Sequence, residues 1–307
     1  MAKIMELNAD NEEQLKEVGK ALSSYERIQI LKLLYYNSYN IGEIAEKLSI
    51  PASSAALHIR VLESSGLINT ELQPGNRGSM KLCSRKKDLI NIRLTGEPQE
   101  IERVKSISMP VGMYTDCEVF PTCGIASERG IIGFEDRPQD FFHPDRVKAQ
   151  LVWSSGGYVE YKLPYVLDNK EVPSRLLLSF EACSEVANYH EDWKSDITIW
   201  INNIECATWH CPSDFGARRG ILTPLWWDSG ATQYGRLVSV EVTGSGTNLN
   251  LQPESDISLD MLGLEDCSFV SIRIGNKEDA EYKGGFNIFG RTFGDFEQDI
   301  SLTIMTI

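Results

Sequence analysis

Residues 40–68 read NIGEIAEKLSIPASSAALHIRVLESSGLI, and two helical periodicities meet in them across a short turn. Ile41, Ile44, Ala45 and Leu48 recur at the spacing of one buried helix face. Ala45 is small enough to let a following helix cross closely. Ser49 and Ile50 make the turn, and Pro51 suits the first turn of the next helix, where no backbone N–H is needed. Ala55, Ile59 and Leu62 then continue the core-facing stripe. The other face is short and polar: Ser53, Ser54, Leu57, His58 and Arg60 lie off the buried stripe. Hydroxyl side chains at a helix N-terminus let the backbone approach phosphates and base edges, so this face is expected to enter the major groove of duplex DNA.

Upstream, Leu15, Val18, Ala21 and Leu22 predict a helix over 11–22, and Ile28, Leu31, Leu34 and Tyr35 a second reaching Asn37, with Ser23 or Ser24 as its N-cap. Downstream, Gly66 stops the recognition helix. LINTELQ (67–73) and SMKLCSRK (79–86) read as strands around the turn PGNRG, forming a hairpin wing. Arg77 lies at its tip between Gly75 and Gly78, where a basic loop can reach the minor groove or the flanking backbone. Lys81 on the returning strand joins Arg60 and Arg77 as a candidate phosphate contact.

This order of elements, with IAEKLSIPASSAALHIRVLESSGLI at its centre, resembles the ArsR-type winged helix family of bacterial regulators over Leu15 to Arg93. The resemblance implies a homodimer that regulates transcription by placing two recognition helices in successive major grooves of an inverted-repeat operator. The founding metal sensors of that family place paired cysteines on the helix before the recognition helix. This chain has Ile41, Gly42, Glu43, Ile44 and Ala45 there, which argues against metalloid sensing at that place. A winged helix used only for protein contacts is the competing reading.

The charge distribution fits a DNA-binding head. The 307-residue chain carries a formal net charge of −14, yet between Pro51 and Arg93 seven basic residues stand against three acidic ones, leaving −18 on the remainder. A basic segment on an acidic body points to a nucleic-acid partner. No run approaches the roughly 18 to 20 apolar residues of a membrane span, and MAKIMELNADNEEQ lacks the basic start and apolar core of a signal peptide, so a cytoplasmic protein without a membrane partner is expected. Seven scattered cysteines suit a reducing compartment and read as buried thiols.

The expected division is a mostly α winged helix-turn-helix domain over 1–93, a linker over 94–106 and an all-β domain over 107–307. Candidate strands are AQLVW (149–153), GYVEYKLP (157–164), RLLLSFEAC (175–183), DITIWIN (196–202), IECATWH (204–210), GRLVSVEVT (235–243), FVSIRIG (269–275) and DISLTIMTI (299–307). Eight or more strands in about 200 residues suit a jelly-roll-like two-sheet sandwich.

The stretch TWHCPSDFGARRGILTPLWWDSGATQYG (208–235) concentrates Trp209, Asp214, Arg218, Arg219, Trp226, Trp227, Gln233 and Tyr234 in a loop-like sequence. Aromatic faces stack on the C–H faces of sugar rings, while Asp, Arg and Gln bond hydroxyl pairs, so a small carbohydrate ligand is expected there. Core packing of Trp226 and Trp227, with an ion pair between Asp214 and an arginine, is the alternative. The C-terminal part also resembles predicted bacterial regulators that join an ArsR-like head to a carbohydrate-module-like sandwich. Cys117, Cys123, Cys206, His210 and Cys211 have spacings poorly suited to zinc, so neither metal nor cofactor is expected. Glu160, Glu181, Glu185, Glu191 and Asp192 include pairs of the kind glycoside hydrolases use, but acidic residues number 44 here, and the expectation is a sensor rather than an enzyme. A DNA-binding protein whose sandwich recruits a protein partner is the second reading.

Overall fold

A computed structural model describes residues 4–9, 11–75, 78–94, 103–165, 167, 171–264 and 267–306. The chain divides into two compact units, 2–101 and 102–307.

In the first unit the order is β1 (Ile4–Asn8), α1 (Glu12–Leu22), α2 (Tyr25–Leu33), β2 (Tyr39–Asn40), α3 (Ile41–Lys47), α4 (Ala52–Ser64), β3 (Ile68–Gly75), β4 (Gly78–Arg85) and β5 (Leu89–Arg93). The helix ends follow local chemistry. Asn11 caps α1 by accepting from the Gln14 N–H. Asn40 and Glu43 close a capping box on α3, at 3.0 Å from the Glu43 N–H and 2.7 Å from the Asn40 N–H. Gly66, at φ +75°, ends α4 in a Schellman turn: its N–H reaches the Glu63 carbonyl at 3.0 Å, and the Leu67 N–H reaches that of Leu62 at 3.1 Å. Two expectations need correction. Helix α2 stops at Leu33 rather than Asn37, and Ser24, at its N-cap position, donates its hydroxyl to Glu26 instead of accepting a backbone N–H.

Strands β2, β4 and β3 form an antiparallel sheet whose β3–β4 hairpin is the expected wing. Strand β1 pairs in parallel with β5. Val18, Ala21, Ile30, Leu34, Ile44, Ala45, Ala55, Ile59 and Leu62 gather with Met5, Leu7, Leu67, Ile68 and Cys83 into one core. Most of the helical stripes read from the sequence face inward together, but after Tyr25 the fully buried side chains are Ile30 and Leu34, and Ile28, expected on the buried face, is 38% exposed. Burying each large aliphatic chain contributes about 1.5–3 kcal/mol.

The second unit contains β6 (Arg103–Met109), β7 (Asp116–Val119), β8 (Cys123–Ser127), β9 (Gly130–Ile131), β10 (Ala149–Ser154), β11 (Gly157–Pro164), β12 (Pro173–Cys183), β13 (Ser195–Ile201), β14 (Ile204–Cys211), β15 (Arg236–Thr243), β16 (Gly246–Leu249), β17 (Gln252–Ser255), β18 (Phe269–Gly275), β19 (Phe286–Phe289) and β20 (Ile300–Thr306). All eight predicted strands form, and seven others join them among the described residues. Strand β6 corrects the linker, because its residues 103–106 fall inside the segment read as connecting and pair along β20.

The larger sheet runs β17–β16–β15–β12–β19–β10–β8–β9. Strand β12 is its hub, with β15 on one edge and, on the other, β20 along its first part and β19 at its end. The smaller sheet runs β14–β13–β18–β11–β7. Every pairing among the described residues of this unit is antiparallel. Strict alternation sends Leu176, Leu178 and Phe180 of β12, Val238, Val240 and Val242 of β15, Val159, Tyr161 and Leu163 of β11, and Val270, Ile272 and Ile274 of β18 into one core shared by both sheets. No helix among the described residues is long and apolar enough to cross a membrane.

Candidate functional site

Helix α4 separates its residues by period alone. Ala55, Ile59 and Leu62 are buried, while Ser53, Leu57, Arg60 and Ser64 form an exposed row, Leu57 at 58%. Ser54 and His58 flank this row and are half-buried; the His58 Nδ1 is enclosed without a hydrogen-bond partner. The exposed row can offer hydroxyls, one aliphatic side chain and one guanidinium to a groove. Lys81 is placed differently from the expectation. Its Nζ lies 2.7 Å from Glu63 Oε2 in an ion pair that joins the wing to α4, and Thr70 donates to the same carboxylate, so Lys81 is already engaged. Its partnership and that of Thr70 hold the Glu63 carboxyl below its ordinary range. Arg85 is likewise internal, paired with Asp88 at 2.7 Å and lying 4.6 Å over the Tyr35 ring. Arg77 lies outside the described residues.

The stretch 208–235 is not the open sugar cleft that its composition suggested. Trp209 is 7% exposed on β14 and packs in the core. Asp214 is fully buried, accepting from the Val186 N–H at 3.1 Å and the Thr232 hydroxyl at 3.0 Å, and burial pushes its carboxyl up to about 7. Arg218 forms a two-pronged pair with the buried Asp295, not with Asp214, and covers the Tyr234 ring at 3.7 Å. Arg219 donates to the carbonyls of Pro224 and Trp227. Gln233 is buried and donates to the carbonyls of Asp228 and Ala231, while Tyr234 stacks on Phe215 at 5.4 Å. These groups tie an irregular segment together because its backbone has few ladder partners of its own.

Two members of the set do border a cleft. Trp226 and Trp227 line an opening of about 480 Å³ with Trp153, Thr122, Asp136, Glu185, Asn188 and Asn287. Trp227 is 8% exposed and stands edge-on to Trp153 (5.6 Å) and Phe293 (5.3 Å), with its indole N–H on the Thr232 carbonyl. Trp226, at 39%, is the accessible ring; its N–H is held by the Glu128 carbonyl at 2.7 Å. Glu185 is the buried polar centre of the lining. Thr122 and Asn287 each donate to it at 2.7 Å, yet burial, with the charges of Asp214 and Asp136 nearby, pushes the carboxyl up to about 8. A protonated carboxyl both donates and accepts hydrogen bonds.

The remaining carboxylates do not join this cleft. Glu181 is enclosed by the backbone N–H groups of Gly235, Asp295 and Phe296, and burial together with Asp295 raises its pKa. Glu160 pairs with Arg273 at 2.7 Å, while Glu191 and Asp192 are exposed. His210, at 77% exposure, bonds Asp196 at 2.7 Å. The described residues hold no cluster of three or more His, Cys, Asp or Glu side chains suited to a metal ion.

Residues 25–70 match the family described as bacterial regulatory protein, arsR family. They form an ArsR-family helix-turn-helix domain. Solved structures similar to this region include HlyU from Vibrio cholerae N16961, 24% identical, covering 26% of this chain and 82% of its own, with a TM-score of 0.23. Another is the homodimeric winged helix-turn-helix DNA-binding domain (fragment 1–100) of Mb0332 from Mycobacterium bovis, named a possible ArsR-family transcriptional regulator; it is 27% identical over 25% of this chain and 68% of its own, with a TM-score of 0.23. The Agl-KA catalytic domain aligns with 51% of this chain and 21% of its own at 12% identity and a TM-score of 0.24. No curated protein matches the chain.

Around the ArsR-family domain and the cleft, sequence reading missed several groups. Thr122 and Asn287 stand 63 and 102 residues from the Glu185 they hold, and no local pattern links them. Trp153 was legible only as part of a strand. Glu185 did carry a signal, as an acid just after a buried strand, but it was read with its acidic neighbours rather than alone.

Proposed function

We propose that this chain is a DNA-binding transcriptional regulator whose all-β unit senses a small ligand. It works as a homodimer on an inverted-repeat operator, with α4 of each copy in a major groove. The observation that carries the reading is the exposed row Ser53, Leu57, Arg60 and Ser64, left outward by a helix whose opposite face is committed to the core. The all-β unit we read as a jelly-roll-like, carbohydrate-module-type sandwich, and the ligand as a carbohydrate seated against Trp226 beside Glu185. The role is sensing rather than turnover, and it takes place in the cytoplasm.

A ligand changes DNA affinity only by as much as it distinguishes the two states, and a tenfold change corresponds to about 1.4 kcal/mol. The test uses the full chain and an operator selected from random duplexes. Arg60→Ala is expected to weaken binding and lower the log–log salt slope by about one. An unchanged slope would remove the DNA-contact assignment. A panel of sugars, followed by calorimetry and by product analysis after long incubation, tests the other half; cleavage of any glycoside would replace sensing with hydrolysis.

A further inference from the structure

The turn at Glu128 and Arg129, between β8 and β9, separates two clefts of the all-β unit. Ile131 lines both, and Trp226 is fastened to the Glu128 carbonyl on the boundary. On the side away from the tryptophans lies a cleft of about 680 Å³, built largely from Arg129, His143, Lys148, Gln150, Arg291 and Thr292. Its acidic members are Glu128 and Asp145, and Asp145 is paired with Lys148 at 2.6 Å.

Arg129 and Arg291 have no ion pair among the described residues, on a chain whose net charge is −14. The His143 Nδ1 accepts the Asp145 N–H at 3.1 Å, which leaves the Nε2 proton as the neutral ring's donor. The Thr292 hydroxyl is buried without a partner, while Gln150 Oε1 takes the Thr292 N–H at 3.1 Å. Among the described residues, two guanidinium forks set against the single unpaired carboxylate of Glu128, with an imidazole N–H and an unsatisfied hydroxyl, together form a donor set matched to a small oxyanion.

We propose that this cleft is the anion subsite of the ligand site, so that the ligand is a carbohydrate bearing a terminal oxyanion, a phosphate monoester or a carboxylate. The ring lies against Trp226, and the anionic group passes Ile131 to reach Arg129 and Arg291. This inference rests on the carbohydrate reading above and deepens it.

Calorimetry on the full chain would compare glucose, galactose, mannose, fructose and N-acetylglucosamine with their 6-phosphates, with glucuronate and galacturonate, and with inorganic phosphate. At least one anionic sugar is expected to bind tenfold or more tightly than its neutral parent; the phosphate and uronate arms decide which oxyanion is used. In Arg129→Gln/Arg291→Gln that advantage should vanish while the neutral sugar binds as before, and Trp226→Ala should weaken both forms. Neutral sugars binding as tightly as their anionic counterparts would overturn the subsite and leave the carbohydrate reading standing. Binding of no sugar in either form would overturn both.

Discussion

On α4 the side chains of Ser53, Leu57 and Arg60 reach the surface, whereas between Trp209 and Tyr234 a similar density of arginines, aromatics and hydrogen-bonding groups is mostly turned inward. Both stretches read as interaction surfaces in the sequence. The difference lies in how each backbone is satisfied. A helix meets its own N–H and C=O needs, so its outward side chains are released for other work. The irregular segment around 212–235 must be braced by side chains, and Asp214, Arg218, Arg219, Thr223 and Gln233 supply that bracing.

The largest test of this contrast is the tryptophan pair. Trp227→Ala removes a buried ring and is expected to cost the all-β unit about 3–5 kcal/mol, read as a lowered unfolding midpoint for that unit. Trp226→Ala, two-fifths exposed, should leave stability within about 1 kcal/mol while weakening the sugar binding proposed above. Equal destabilisation by both would erase the distinction between brace and surface.

Next comes the ion pair. Asp295→Ala strands the Arg218 guanidinium and is expected to cost about 3 kcal/mol in denaturant titration, toward the lower end for a buried pair because the Arg218 side chain retains some solvent contact. A loss under about 1 kcal/mol would mean that the Arg218–Asp295 pair does not brace this segment.

A smaller, pH-dependent effect belongs to Glu185. Its folded pKa, about 8, stands above the ordinary 4.5, so the native state holds a proton that the unfolded chain releases. The stabilisation is fully present below about 4.5, declines as pH rises, and is gone above about 8. Glu185→Gln keeps an oxygen that accepts from Asn287, and the Thr122 hydroxyl can turn from donor to acceptor for the new amide, so it should flatten part of the fall in unfolding midpoint between pH 5 and 8. Raised Asp214 and Glu181 act in the same direction and keep the remainder. An unaltered pH profile would mean that Glu185 is ionised in the cleft.

The smallest stability effect is expected on α4, where Arg60→Ala should shift unfolding by no more than about 0.5 kcal/mol despite the DNA contact proposed for it. A larger shift would mean that Arg60, like Lys81, is engaged within its own unit.

Legibility followed the range of the interactions. The turn around Ser49 and Pro51 and the glycine stop at Gly66 depend on neighbours a few residues away, and their positions agree with the sequence reading. The long strands were legible because alternation over seven or eight residues is a strong pattern. Strand β1 was not, since it is five residues long and its contacts with β5 span 85 residues, as between Glu6 and Asn91. The same applies to β19, whose four residues bridge β10 and β12.

By itself, then, the sequence determined which residues of this chain form the helix-turn-helix and which face of α4 is outward, because helical period and end-capping are local and repeat the same chemistry turn after turn. Only the tertiary structure decided that Arg218 belongs to Asp295, that Trp226 is accessible while Trp227 is not, and that Thr122, Glu185 and Asn287 meet at one cleft. Those outcomes depend on which distant strand supplies the partner for each buried polar group, and composition carries no record of that choice.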